Sequence, residues 1–418
     1  MMIFKIAAAS AWFRRGSLLL TVFSIAISTA LLLGIDKISE EGKSRFISTI
    51  SKTDLIVGAR SGPVNLLLYS VFRIGNATNN VSWETYEEIS QYDEVAWTIP
   101  ISLGDSHRGF RVMGTTADYF EHYRYGNGQN LALEQGEPFE NVYDAVLGAE
   151  AAEALGYNLG DPLIIAHGLV SAGFAEHDDK PFEVVGILAR TGTPIDHTVH
   201  VSLAGIEAIH IDWQSGSRSP FQISAEEAAA MELKPQTLTA FMIGLNNRID
   251  TFRLQRQITE YDEEPLLAII PGATLAELWQ TLAVFEQVLF AISIFALLAC
   301  LSGMLTTLLS TLNERRREMA VLRATGAHPY QIVLLLVIEA FFILLVGCLS
   351  GIFLLYLIVW AAHPFLLEEY GLQVTMSPPS LEQWRLIAII IALGIIISLI
   401  PSSIAYRRSL QDGLAIKI

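Results

Sequence analysis

Charge is scarce in this chain. Of its 418 residues only 17% are Asp, Glu, Lys or Arg, while 52% are hydrophobic. A soluble domain carries about 25% charged residues, so the deficit points to segments that never meet water. Cysteine is nearly missing too. Cys300 and Cys348 both lie inside apolar runs, which excludes the disulfide framework of a small secreted domain and reads them as small buried hydrophobes. Base is in short supply: the net charge is −16, whereas a nucleic-acid ligand would need a basic face. Catalytic signatures are missing as well. The nearest approach to a phosphate-binding loop is Gly42, Lys43 and Ser44, with Lys37 where the earlier glycine should stand. No GxSxG elbow or HExxH helix occurs. The chain is therefore predicted not to be an enzyme by itself.

What is abundant is apolar length. A spanning helix takes about 20 mostly apolar residues, and four stretches qualify: 16–35, 288–312, 332–362 and 386–400. The first is preceded by Lys5, Arg14 and Arg15, as a signal peptide would be. Its apolar run is too long for one, however, and residues 36–40 offer no small-x-small cleavage site. It reads as an uncleaved anchor.

Lys and Arg set the orientation. They precede the first span, cluster between spans two and three (Arg315, Arg316, Arg317, Arg323) and close the chain (Arg407, Arg408, Lys417). The loop between spans three and four carries Glu368, Glu369 and Glu382, with no base before Arg385. Residues 36–280 hold 35 acidic against 16 basic side chains. Both termini and the 313–330 loop are thus expected in the cytoplasm, and the large domain outside. The expected division is 1–36 (N-terminus and span one), 37–280 (outer domain with helical stalks), 281–312 (span two) and 313–330 (cytoplasmic helix). Then come 331–362 (span three), 363–383 (outer loop), 384–405 (span four) and 406–418 (cytoplasmic tail).

The outer domain reads as mixed α/β. Short β-branched runs predict strands at 54–58, 95–103, 110–114, 145–147, 163–166, 182–188, 198–202, 238–243 and 266–270. Helical patterns fall at 83–91, 150–155 and 250–261. Segments 37–51 and 274–287 read as helical continuations of spans one and two, and 214–235 as an insertion. The run 64–72 after Gly62 and Pro63 is oddly apolar for a segment outside the membrane. Either it is buried against the domain core, or it contacts lipid or an acylated cargo.

The loop from Asn313 to Pro329 is the most informative segment. Met319 and Leu322 share one helical face, and Glu314 and Glu318 another; Gly326 is placed to end that helix and Pro329 to start the next span. A basic loop that only fixes topology needs scattered Lys or Arg. An amphipathic cytoplasmic helix with two Glu among its Arg has an apolar edge to dock and charges to pair, as a partner-binding element does.

Here the sequence resembles a family. "NERRREMAVLRATGAHPYQI", followed by an apolar helix with Glu339, Gly347 and Gly351, is similar to the signature of the FtsX/MacB-type permeases. "PSSIAYRRSLQDGLAI" resembles their closing segment. "VLGAEAAEALGYNLGDPLII" and "FEVVGILARTGTPIDHTVHVSL" resemble the MacB-type periplasmic domain, while "TDLIVGARSGPVNLLLYSVFRIGNATNN" departs from it. The resemblance implies an α-helical membrane protein with four transmembrane helices and a mixed α/β MacB-like periplasmic domain inserted between helices 1 and 2, in a bacterial inner membrane. It implies a dimer with a second copy or a paralogue. It also implies a separate cytoplasmic ABC ATPase, which would bind ATP and Mg while this chain holds no cofactor. The coupling role is carried onto Asn313, Glu314, Arg315, Arg316, Arg317, Glu318, Arg323 and Gly326. The function so implied is a permease subunit that exports or releases a lipoprotein, peptide or small amphiphile by mechanotransmission. Membrane lipid and a periplasmic companion are possible partners; nucleic acid is not. A cargo-free mechanotransmitter acting on a periplasmic partner, or part of a metal-uptake system, are the alternatives.

Three further features are weighed beside this. Glu339 lies within span three, where an ionised acid costs about 3 kcal/mol. It is either functional or a structural acid near the cytoplasmic end. Gly303, Gly347 and Gly351 are candidates for close helix approach. The outer domain holds His167, His177, His197, His200 and His210 with Asp178, Asp179 and Asp196 nearby, donors that suit a transition metal. His197 and His200 are weak ligand candidates, because i and i+3 on a strand point to opposite faces.

Overall fold

The computed structural model describes residues 15–167, 177–214, 217–218, 223–231, 233–314, 326–370 and 376–411. The chain divides into a helical unit (1–41 and 282–418) and an α/β unit (42–281). Helices run along it as α1 (Arg15–Thr49), α2 (Pro63–Val71), α3 (Trp83–Ser90), α4 (Asp118–His122), α5 (Ala149–Leu155), α6 (Leu203–His210), α7 (Ala225–Ala229), α8 (Thr251–Thr259), α9 (Pro271–Glu314), α10 (Pro329–Tyr370) and α11 (Leu381–Gln411).

Four of these, α1, α9, α10 and α11, contain stretches long and apolar enough to cross a membrane. They outrun the apolar segments because a helix needs no apolar residues once it has left the hydrocarbon. α1 continues to Thr49, α9 begins at Pro271, and α10 continues to Tyr370, into the segment expected as loop. In the helical unit Ile25, Leu33, Leu301, Met304, Leu344, Cys348 and Ile390 form the main buried cluster. Packing fixes the directions. A Cβ on Gly347 would lie 2.6 Å from Ile25, and one on Gly351 2.7 Å from Thr29, so α1 and α10 run side by side in the same sense. Thr21 meets Thr307 at 3.4 Å while Ser28 hydrogen-bonds Cys300, and Leu344 faces Gly394 while Leu336 clusters with Ala405, so α9 and α11 run the other way. Gly303 departs from the expectation of close approach: its Cβ would meet nothing within 4 Å.

The α/β unit is built on one sheet. Its main strands are β1 (Leu55–Ala59), β2 (Val95–His107), β3 (Phe110–Thr115), β4 (Leu133–Gly136), β5 (Asp144–Leu147), β6 (Phe182–Leu188), β7 (Thr198–Ser202), β8 (Ala240–Leu245) and β9 (Leu266–Ile269). Their spatial order is β9-β1-β8-β2-β3-β7-β5-β6-β4. The pairs β3/β7 and β5/β6 are parallel; the remaining neighbours are antiparallel. β2 joins the two halves, pairing with β8 through residues 95–101 and with β3 through 102–107. Both faces of the sheet are covered. Ile56 packs with Leu66, Ile99 and Met242 on one side, while Leu55, Val57, Phe241 and Leu254 pack on the other. A strand buried on both faces reads as a continuous apolar run, as LIVGA in β1 does.

One expectation changes and one open choice is resolved. The single strand expected at 163–166 is two short ones: Pro162–Leu163 pairs with β6, and Ala166–His167 with β2. The apolar run after Gly62 is α2, started by Pro63, and it buries Leu66, Leu67, Tyr69 and Val71 in the domain core. Of the two readings offered for it, burial is the one realised.

Candidate functional site

The segment singled out by its charge pattern is framed by elements whose ends are well defined. Asn313 and Glu314 are the last two residues of α9. Arg315, Arg316, Arg317, Glu318 and Arg323 lie outside the described residues. Gly326 follows, exposed and at φ +96°. That left-handed conformation is one that glycine adopts without strain. Pro329 then opens α10, where its missing N–H is no loss. Gln331 Oε1 accepts from the His328 N–H at 3.0 Å, satisfying one donor of the first turn.

Beneath this joint, Leu312, Ile332, Leu336 and Ala405 form a small buried cluster. It ties the end of α9, the start of α10 and the last turns of α11 into one end of the bundle. Because α1 runs parallel to α10, its first residues belong to that same end. Sequence reasoning missed this anchor; only the spacing of Leu308 and Leu312 on one helical face signalled it. Glu339 lies one turn further along α10, 7% exposed, between cluster residues Leu336 and Ala340. It faces the interior of the bundle.

Between α1 and α9 of the helical unit lies an open fissure of about 550 Å³. Ser17, Thr21, Ser24 and Ser28 line it from α1, and Gly303 and Thr307 from α9. The hydroxyls of Thr21, Ser24 and Thr307 donate to carbonyls four residues back, so they soften the wall without leaving unmet donors. This explains Gly303, which borders open space instead of a neighbouring helix.

Among the described side chains, the histidines of the α/β unit do not converge on one point. His200 is fully buried on β7; its Nδ1 donates to the Val146 carbonyl at 3.2 Å, and its ring stacks on Tyr119 at 5.3 Å. Burial, assisted by the positive charge of Arg73, pushes its pKa down to about 3. His197 ends a 3₁₀ turn just before β7, with Nε2 2.6 Å from Glu150 and its ring against Phe110. They address separate partners, in keeping with the poor chelate their spacing suggested. His177 and His210 do meet, with ring centroids 5.3 Å apart, and His210 lies 3.7 Å from Asp105. Beside them runs an ion pair that the sequence did not betray. Lys180 Nζ is 2.8 Å from Asp212, both fully buried, and 3.3 Å from Asp179. Burial raises the Tyr143 hydroxyl to about 12, reinforced by the charges of Asp179 and Asp212. Among the described residues, Asp118, Glu121 and His122 offer ligand atoms within 4.8 Å of one another. They sit on the one-turn helix α4 with both carboxylates exposed, and His122 is stacked flat on Trp97 at 5.3 Å; this is a solvated face.

Comparison with known proteins adds two family matches. Residues 18–261 match the MacB-like periplasmic core domain, and residues 290–413 the FtsX-like permease C-terminal domain. A curated relative is the macrolide export ATP-binding/permease protein MacB of Nitrosomonas europaea, 21% identical over 82% of this chain. The chain spans about half (49%) of that relative's length. Two solved structures are similar. One is the periplasmic region of MacB from Actinobacillus actinomycetemcomitans, at 12% identity and TM-score 0.35, covering 57% of this chain and 95% of that one. The other is the extracellular domain of the noncanonic ABC-type transporter YknZ from Gram-positive bacteria, at 11% identity and TM-score 0.31, covering 52% and 99%.

Proposed function

Since this chain belongs to the FtsX/MacB-type family of ABC-transporter permeases, we propose that it is the membrane subunit through which a separate cytoplasmic ATPase drives its periplasmic domain. One observation carries the reading: the end of α9 and the start of α10, which flank the 313–328 segment, are knitted to the last turns of α11 by Leu312, Ile332, Leu336 and Ala405 at one end of the helical bundle. A push on that joint is felt by three helices at once. α1 and α9 are single helices that lead directly to the two ends of the α/β unit's chain. Movement at the joint is passed along these helices, and substrate is handled in the outer domain. Asn313, Glu314, Arg315, Arg316, Arg317, Glu318, Arg323 and Gly326 form the docking element; ATP and Mg belong to the partner. The protein works as a dimer, with both termini in the cytoplasm of a bacterial inner membrane.

The size of the outer domain favours a cargo (a lipoprotein, peptide or small amphiphile) over a cargo-free mechanotransmitter. The metal-uptake alternative draws no support from His197 and His200, which point to separate partners.

The test is affinity purification in mild detergent with identification of what accompanies the protein. An ABC ATPase is expected in the complex. Reversing Arg315, Arg316 and Arg317 to Glu is expected to reduce its recovery about tenfold or more, with membrane insertion unchanged. Full recovery of the ATPase with the triple variant overturns the docking assignment.

A further inference from the structure

Arg73 stands just past the end of a helix, where glycine is the usual residue. It follows the cap of α2 at φ +61°, in the left-handed region that penalises a side chain with a Cβ. The Ile74 N–H still closes on the Leu68 carbonyl at 3.1 Å, so the backbone is held in that shape. The guanidinium donates through Nη1 to the Ser70 carbonyl and touches Met113 Sδ with Nη2. Its Nε is buried with no hydrogen-bond partner among the described residues. Met113 is fully buried, so a positive charge lies against the domain core.

A second arginine lies beside it. Arg111 and Met113 are two residues apart on β3 and share one face of the sheet; in register they oppose Thr198 and His200 of β7. Arg111 is partly buried, and its Nη1 donates at 3.1 Å to Oδ1 of Asn76, in the loop that Arg73 opens. Burial, and after it the charge of Arg73, lower the Arg111 pKa from its ordinary range. The two guanidiniums therefore repel one another across a short distance.

Neither has a counter-charge. Among the described residues neither arginine pairs with a carboxylate. The acids near the start of β7 are committed elsewhere. Asp196 accepts from the Thr191 and Gly192 N–H groups at 2.8 and 2.7 Å. Glu150 pairs with His197 at 2.6 Å and with Arg190 at 3.1 Å. Across the ladder from Met113, His200 is neutral, with a pKa of about 3. Scarcity of acid is not the cause, since residues 36–280 hold 35 acidic against 16 basic side chains. Buried donors without partners are rare in folded proteins, and an unseen ion is one of the groups that complete them.

We propose that Arg73, Arg111 and Asn76 form a binding site in the α/β unit for an oxyanion, the carboxylate or phosphate group of a small ligand. This goes beyond the permease reading and does not depend on it. The planar guanidinium fork matches the oxygen spacing of both groups. Arg has five N–H donors, and of those on Arg111 the bond to Asn76 takes one. The exposed Asn76 amide adds N–H donors beside them. An oxyanion placed there would neutralise the repulsion between the arginines.

The test is equilibrium dialysis of the full-length, detergent-solubilised protein against radiolabelled inorganic phosphate and, separately, radiolabelled succinate at matched ionic strength. At least one of the two is expected to bind saturably, and the preference between them tells phosphate from carboxylate. Arg111→Gln is expected to weaken that binding about tenfold or more, because charge-assisted hydrogen bonds are lost. Arg248→Gln, which removes an exposed arginine paired with Asp54, is expected to leave it within about twofold. Asn76→Asp alters an exposed side chain and so spares the core; its carboxylate supplies Arg111 with a counter-charge and is expected to compete the anion away. Binding that survives both Arg111→Gln and Asn76→Asp overturns the proposal. So does the failure of both anions to bind saturably to the unaltered protein.

Discussion

His200 shows how a single residue acquires its properties from the fold. With its ring closed off by Tyr119 and Phe120 and its Nδ1 donating to Val146, the protonated form has no solvation. Its pKa falls from an ordinary 6.5 to about 3. Between those values the unfolded chain binds a proton that the folded chain refuses. The stability this residue contributes is complete above pH 6.5 and is lost as pH falls toward 3, by about 1.4 kcal/mol per pH unit. The melting temperature of the full-length protein is therefore expected to drop between pH 7 and pH 5. In His200→Gln, which keeps a neutral donor for Val146, the dependence is expected to flatten; differential scanning fluorimetry across that range checks it, and an unchanged slope refutes the attribution. The i, i+3 spacing of His197 and His200 already argued against a shared ligand. Lys180 was illegible by contrast, because nothing in the local HDDK sequence marks it as buried and its partner Asp212 lies 32 residues away.

At the scale of elements, hydropathy alone located four spanning helices, since apolar length is a property of sequence. Which face of each helix meets which neighbour is not. Gly303, Gly347 and Gly351 looked equivalent as candidates for close packing, yet two are pressed against α1 and the third borders a fissure. Gly347→Leu and Gly351→Leu are expected to force α1 and α10 apart at about 1–3 kcal/mol each, while Gly303→Ala stays within about 0.5 kcal/mol. Thermal aggregation of the detergent-solubilised variants ranks them; equal losses for all three would contradict the helix packing described. In the α/β unit two short capped helices escaped the sequence pattern, whereas α3, capped by Ser82, was legible at 83–91. Ser202 caps α6 by accepting from the Gly205 N–H, and Ser224 with Glu227 forms a capping box on α7. Both helices are short, and their caps lie in segments that read as strand end and insertion.

For the whole molecule the central expectation concerns sides. The bundle end that gathers α1's start, the 313–328 joint and the last turns of α11 is the end where Lys and Arg concentrate, and positive charge beside spans marks the cytoplasm. A cysteine introduced at the exposed Leu159 in a Cys300→Ala, Cys348→Ala background is expected to react with an impermeant maleimide in spheroplasts. One introduced at Gly326 is expected to react only after permeabilisation. The reverse pattern would invert the topology and remove the basis for ATPase docking at the joint.

Apolar length, charge asymmetry and β-branched runs are local quantities, and they determined the four spans, the acidic domain between the first two, and the positions of most strands. Strand order was beyond them. Nothing within 133–136 identifies an edge strand, because β4 exists through its pairing with β6, and the 163–166 run split because its two ends found different partners in β6 and β2. Tertiary structure likewise decided which histidines are buried and which glycines are contacts. Each depends on residues far apart in the chain meeting in space, and no window of sequence contains both partners.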